Sequence, residues 1–259
     1  MLNIIIDNMK LKTFFAAMLF MMAGLQTAWA QKMIVRMTGN QTTEFNVSEI
    51  EEVIFTDSEP IDDSHEWVDL GLPSGTKWAT CNVGANSPEE YGDYFAWGET
   101  ESKDYYDWST YKWCNGSYDT ITKYCISSYV GYNGFTDSKT ELDPEDDVAA
   151  VNWGGSWRMP TLEQVSELHN NCTCERTTQD SVNGTLVTGP NGNSIFLPAA
   201  GRRQLDGPYY TGSDGYYLSR SLQSDSCNGY SLSFNFNTGW WGWYYTYRSY
   251  GFTVRPVCP

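Results

Sequence analysis

The chain has 259 residues, 32 acidic against 16 basic, and a formal net charge of −16 at pH 7. Affinity for phosphate backbones comes from Lys and Arg, so this balance excludes a nucleic-acid partner. A hydrophobic content of 41% with 15% aromatic residues excludes a disordered chain and points to a packed globular body.

Residues 1–30 read as a secretory signal peptide. Met9-Lys10-Leu11-Lys12 is a basic head, Thr13 to Ala23 a short apolar stretch, and Ala28-Trp29-Ala30 a small-residue end before Gln31. The apolar stretch is too short and wrongly flanked for a membrane span, and no later segment is apolar enough for one. No Cys follows the cleavage point to carry a lipid. The expectation is an exported chain without a transmembrane segment, in the periplasm, secreted or at the cell surface.

Residues 31–56 read as a small β unit. Met33 to Met37 and Glu44 to Val47 flank the turn Thr38-Gly39-Asn40-Gln41, and Val53-Ile54-Phe55 adds a third apolar strand. Ser48-Glu49-Ile50-Glu51 has the spacing of a capping box and predicts one helical turn between them. Residues 57–65, charged and with Pro60, form a linker, and the main domain covers residues 66–259.

Within that domain, a helix is predicted at Glu145 to Val151, with acids at its N-terminal end where the helix dipole favours them. A longer helix follows Pro160: Thr161-Leu162-Glu163-Gln164 is a capping box, and Leu162, Val165 and Leu168 make one apolar stripe. Thr185 to Thr188 and Ser194 to Leu197 flank a Gly/Pro/Asn turn and predict a hairpin. In Tyr230 to Asn237, Leu232, Phe234 and Phe236 alternate with Ser231, Ser233, Asn235 and Asn237, the period of a half-buried strand with its polar set outward.

The last strand, Trp240 to Tyr247, is aromatic on both phases: one face must pack and the other must be exposed or meet a partner. Tyr and Trp offer large contact area with few rotamers to freeze, and with Ser, Gly and Asn they compose antibody-type binding surfaces. The candidate ligand-binding set is Arg220, Ser231, Ser233, Asn235, Asn237, Trp240, Tyr244 and Tyr245, with the other phase, Trp241, Trp243 and Tyr245, as the alternative register.

Seven Cys in an exported chain suggest disulfides, and the odd count leaves one over. Cys114 and Cys125 bracket a polar turn and are expected to pair. Cys81 and Cys258, near the two ends of the domain, form a second candidate pair. Cys172, Cys174 and Cys227 read as thiols or part of a third bridge, since C-x-C spacing with two His in the chain gives little support for a metal. No cofactor is expected. Calcium is the one ion for which hard oxygen ligands stand close together, at Asp143, Glu145, Asp146 and Asp147, without the EF-hand pattern.

Three motifs in order carry a family resemblance: Asp147 to Trp153, then Trp157-Arg158-Met159-Pro160-Thr161 with Glu163, then Gly251 to Val257. They resemble the Fibrobacter succinogenes major paralogous domain family, found in exported proteins of gut Bacteroidetes. More distantly they are similar to the formylglycine-generating sulfatase-modifying enzymes. The resemblance implies an α+β, C-type-lectin-like domain with two helices on twisted antiparallel sheets, and long ligand-facing loops. Arg158 reads as a buried structural cation, and Trp153, Trp157 and Phe252 as core.

Catalysis is not expected. The formylglycine-generating oxidases need a redox-active Cys pair in the last third, where this chain has Cys227 alone apart from Cys258 in the terminal motif. His65 and His169 stand beside no Ser or Cys nucleophile motif. The functional expectation is an exported, non-catalytic protein that recognises a glycan or protein ligand through its aromatic C-terminal face. The Ser, Asn, Tyr, Asp, Gly and Cys content of Gln223 to Asn237 is also reachable from Asn-type codons. That is the pattern of lectin-like domains that retroelements diversify at template adenines. The alternative is a structural or adhesive subunit of a surface assembly, with the same aromatics buried between copies; the oligomeric state is left open.

Overall fold

A computed structural model describes residues 32–36, 42–46 and 65–259. The signal-peptide reading, the helical turn at Ser48 to Glu51, the strand at Val53 to Phe55 and nearly all of the linker lie outside the described residues. The chain divides into two compact units, Met1–Asp57 and Ser58–Pro259. In the first, β1 (Lys32–Arg36) and β2 (Thr42–Asn46) form an antiparallel hairpin with Lys32 opposite Asn46.

The second unit is α+β: two helices among several antiparallel sheets. β3 (Trp67–Asp69) and β4 (Lys77–Ala79) pair with each other, and β4 pairs with β13 (Val257–Cys258), so the two ends of the unit share one sheet. β5 (Thr173–Gln179), β6 (Val182–Thr188) and β7 (Ser194–Pro198) form a meander, and β8 (Arg202–Gln204) with β9 (Gly207–Tyr209) a short ribbon. β10 (Asp214–Leu222), β11 (Asn228–Asn235) and β12 (Trp240–Tyr247) make the third large sheet, in that order. The hairpin predicted around Gly189 to Asn193 is the β6–β7 turn, closed by Gly189 N–H donating to the Asn193 carbonyl at 2.9 Å.

Local chemistry accounts for both helices. α1 (Val148–Trp153) starts three residues later than predicted, because Pro144–Asp146 forms a separate 3-10 turn. Asp147 caps α1 by accepting from the amides of Ala149 and Ala150, and Gly154, at φ 71°, ends it. α2 (Leu162–Asn171) has the predicted capping box: Thr161 Oγ1 accepts from the Gln164 amide, and Gln164 Oε1 accepts from the Thr161 amide. Val165 and Leu168 of α2 are buried one turn apart, facing the sheet.

The β10–β11–β12 sheet lies between two core clusters. On one side Leu218 and Leu222 join Trp97, Trp153, Trp157 and Phe252; on the other Tyr217, Leu232 and Phe234 join Leu70, Trp78, Val165 and Leu168. The core assignments of Trp153, Trp157 and Phe252 therefore hold. Arg158 departs from its expectation. It is half-buried, and its guanidinium donates to the carbonyls of Gly155 and Trp157. The fully buried cations among the described residues are Arg248 and Arg255.

An aromatic edge strand as candidate functional site

The candidate site is built on the β11–β12 hairpin. Its turn is held by Asn235, whose carbonyl accepts from Gly239 N–H at 2.9 Å and whose side-chain oxygen accepts from Thr238 N–H at 2.8 Å. Gly239 takes φ 76°, which a side chain would disfavour. From there β12 runs with Trp240 opposite Asn235 and Tyr244 opposite Ser231. α2 sets the height of β12: the His169 ring lies tilted on Trp241, centroids 4.9 Å apart, and a Cβ on Gly242 would meet His169 at 3.5 Å.

Among the described strands, β12 pairs on one side alone, with β11. Being an edge, it is only partly covered, and Trp240, Trp243, Tyr244, Tyr245 and Tyr247 are each 45–49% exposed. The expectation that one phase packs while the other faces out is therefore corrected: rings of both phases reach solvent, and Trp241 alone of the large rings tucks inward against the core. Neighbouring rings brace one another. Tyr244 and Tyr245 stack at 5.1 Å with planes 5° apart, Trp240 meets Tyr244 edge-on at 6.4 Å, and Tyr230 meets Trp243 at 5.8 Å. Ring pairs in such geometries contribute about 0.5–1.5 kcal/mol beyond area burial, which keeps these faces ordered while half open.

A shallow groove of about 400 Å³ adjoins the Trp240 end, lined by Glu175, Arg176, Asn235, Thr238 and Trp240 among others. Arg176 crosses from β5 to the hairpin turn, donating to the carbonyls of Phe236 at 3.1 Å and Asn237 at 3.0 Å. Here a flat aromatic face stands beside an exposed carboxylate and a guanidinium. That combination can hold a ring with one apolar face and hydrogen-bonding substituents at its rim.

Of the residues singled out in sequence, the structure brings together Asn235 and Trp240 at this groove, with Asn237 in the adjoining turn, its carbonyl bound by Arg176, and Tyr244 and Tyr245 along the strand. Asn235 is half-buried and engaged, its amide donating to Asp214 Oδ1. Ser231 and Ser233 are not outward, a second correction: they are 0% and 2% exposed. Opposite residues of an antiparallel pair share a face, and Leu218 and Tyr216 stand opposite Ser231 and Ser233, packed in or against the Trp97 cluster. The two hydroxyls satisfy each other at 3.1 Å instead of meeting water. Arg220 lies not in a loop but in β10, the far strand of the sheet, where it pairs with Glu141 at 3.1 Å, so it does not join the β12 aromatics. Glu175 and Arg176 were not legible, since nothing local in Thr173 to Gln179 indicates which distant turn that strand will border.

The acidic set is engaged by other groups of the protein. Asp146 accepts from Lys123 Nζ and from the Tyr124 hydroxyl, both at 2.6 Å, and Asp143 lies 2.9 Å from Lys123 Nζ and also pairs with Lys139. Hydrogen bonds from Lys139 and Lys123 hold the Asp143 carboxyl down at about 2. Asp147 is spent on backbone amides, including that of Met159 at 3.0 Å, and burial pushes its carboxyl up. Glu145 is solvated, 3.9 Å from Lys123. Lysines thus answer Asp143 and Asp146, and backbone amides answer Asp147. No group of three or more metal-ligating side chains occurs among the described residues, and no described helix is long and apolar enough to cross a membrane.

Neither expected cysteine pair is bonded in this structure, where all seven cysteines are thiols. Cys258 stands opposite Lys77 across the β13–β4 ladder, four residues along from Cys81. At about 3.3 Å per strand residue that is well beyond the 4.4–6.8 Å between Cα atoms that a disulfide spans. Cys114 stands opposite Ile121 and its thiol donates to the Trp108 carbonyl, whereas the Cys125 thiol donates to the Ser127 carbonyl. The histidines are ring partners: His65 stacks on Trp153 at 3.7 Å and His169 packs on Trp241. No family model, curated protein or solved structure matches this chain.

Proposed function

We propose that the chain is an exported, non-catalytic binding protein. Its 66–259 domain has a C-type-lectin-like fold of the Fibrobacter succinogenes major paralogous type, and its β12 edge strand and adjoining groove capture a glycan. The observation that carries this reading is the half-exposed ring series from Trp240 to Tyr247, ending at a groove that holds Arg176 and Glu175. A sugar ring stacks its C–H face on an indole and offers hydroxyls to planar side chains at the rim, so ligand class and site chemistry match. A protein epitope engaged by the same rings belongs to the same reading.

A glycan array probed with the mature protein, with and without EDTA, tests it. The expected result is retained binding to a restricted glycan set, unchanged by EDTA because the acidic cluster is neutralised by lysines. Loss of that binding in Trp240→Ala, with an unchanged melting temperature, would place capture at the groove. Absence of binding to any glycan, together with intact folding, would refute the glycan reading. A second reading, a subunit of a surface assembly, is favoured by one observation: β12 is an edge strand without a single charged side chain. Size-exclusion chromatography separates the two, since the binding module elutes as a monomer and the subunit as a stable oligomer.

A further inference from the structure

Arg248, directly after β12, is 0% exposed and has no carboxylate partner among the described residues; it donates instead to main-chain oxygens on two segments and to a hydroxyl on a third. Nη1 reaches the Tyr124 carbonyl at 2.9 Å and the Ser226 carbonyl at 2.8 Å, Nη2 the Lys123 carbonyl at 3.0 Å, and Nε the Tyr111 hydroxyl at 2.8 Å. The same two segments meet directly, with Ile126 N–H donating to Ser226 Oγ at 3.0 Å. The residues so stitched flank Cys125 on one segment and precede Cys227 on the other. Both cysteines are buried, at 0% and 8% exposure. Burial, with Asp225 adding to it, pushes the Cys227 thiol up to about 11, and Cys125 is close enough to contribute to that shift.

We propose that Cys125 and Cys227 form a disulfide that clamps the base of the β11–β12 hairpin. The proposal goes beyond the glycan reading and does not need it. What the thiols now hold is weak: Cys125 donates to the Ser127 carbonyl at 3.1 Å and Cys227 to the Tyr118 carbonyl at 3.5 Å, so oxidation gives up little. No other pair competes. Cys81 and Cys258 are out of register, Cys114 stands opposite Ile121, and Cys172 and Cys174 lie at the end of α2 and the start of β5. The bond closes a loop of roughly 100 residues, and in the chain-entropy account longer loops lose more freedom in the unfolded chain on cross-linking.

The chemistry is thiol–disulfide exchange with a disulfide-bearing oxidant, such as a dithiol–disulfide oxidoreductase of the export compartment or oxidised glutathione in vitro. One cysteine thiolate attacks a sulfur of the oxidant, forming a mixed disulfide and releasing one thiol. The second cysteine then attacks the mixed disulfide, the Cys125–Cys227 bond forms, and the second thiol leaves. Two electrons and two protons pass from the pair to the oxidant. Because Cys125 is sealed in the folded state, the exchange belongs to folding, before the Arg248 layer closes.

The test is to unfold and reduce the full chain, refold it in a mixture of oxidised and reduced glutathione, alkylate it, and digest it with trypsin without reduction. Cleavage leaves Cys125 alone in the peptide 124–139 and Cys227 alone in 221–248, so a cross-link between them is unambiguous. The expected product is that cross-linked pair, two hydrogens lighter than the sum of the peptides and lost on reduction. Cys125→Ser and Cys227→Ser should each lower the melting temperature of oxidised protein by several degrees, with the double variant no lower. Recovery of both peptides alkylated, or of Cys125 bonded to any other cysteine, overturns the proposal even if a variant fails to fold. The refolding result does not depend on export: a bond formed in vitro but absent from protein isolated from its cells would count against the exported reading and not against the pairing.

Discussion

A single arginine does much of the tying in this molecule. Arg248 and Arg255 are both fully buried and bind neutral oxygens, Arg255 through Asn82 Oδ1 at 2.8 Å, the Phe196 carbonyl at 3.0 Å and the Ala79 and Thr80 carbonyls. Only a guanidinium supplies enough fixed donors to satisfy so many carbonyls at once, and that of Arg248 also lies on the faces of Trp97 and Tyr111 at 4.7 and 5.2 Å. Replacing Arg248 with Met leaves the carbonyls of Lys123, Tyr124 and Ser226 buried without donors, at about 1–3 kcal/mol each. Urea unfolding should show a loss of more than about 3 kcal/mol, and Arg248→Lys should recover little of it. Neither role was legible in sequence. Arg158 beside a helix cap looked like the structural cation, but the acceptors of Arg248 are backbone carbonyls far away in the chain, and no side-chain pattern announces them. The acidic patch carries a pH signature of opposite visibility. The Asp143 carboxyl, depressed to about 2 by Lys139 and Lys123, contributes stability that is present above its unfolded value of about 3.9. That contribution is lost as pH falls through about 2. Asp143→Asn should therefore melt lower than wild type at pH 7, with the gap closing between pH about 4 and about 2 in a series of thermal melts.

Among the elements, those with local signatures were legible. The α2 capping box, its apolar stripe and the Gly/Pro/Asn turn of the β6–β7 hairpin each sit within a few residues and act on their own backbone. β11 was legible as a strand but not in its surroundings. Alternation distinguishes two faces and says nothing of what covers each, so a serine facing a second core cluster reads like a serine facing water. The burial of Ser233 has a measurable consequence. Ser233→Leu, harmless on an exposed face, should cost about 1–3 kcal/mol here, because the added methylenes have no room beside Tyr216. Trp243→Ala, across the sheet edge from Leu232, should stay within about 1 kcal/mol, since half of that ring is already in water. Chemical denaturation of the two variants, run side by side, decides between this register and one in which the serines are outside. The 3-10 turn at Pro144–Asp146 shows the complementary lesson: acids clustered before a helix mark its neighbourhood well and its first residue poorly.

At the scale of the molecule, the sheet that presents the aromatic strand is itself sandwiched between the two core clusters, so the edge is open while its root is rigid. Binding to such an edge needs little reordering of the scaffold. The ring series has one more consequence, which is optical. The chain carries 11 tryptophans, and among the described ones the extremes lie far apart in solvent contact: Trp67, Trp240 and Trp243 are each 49% exposed, whereas Trp78 and Trp97 are 0% exposed. Collisional quenchers therefore reach one population of indoles and not the other, and the emission should resolve into a quenchable and a protected fraction. Acrylamide is the suitable reagent, because iodide is held off by a chain of net charge −16. In a Trp67→Phe background the quenchable light comes chiefly from β12, so whatever seats on that strand dims its own accessibility, and the hairpin reports its occupancy without a label.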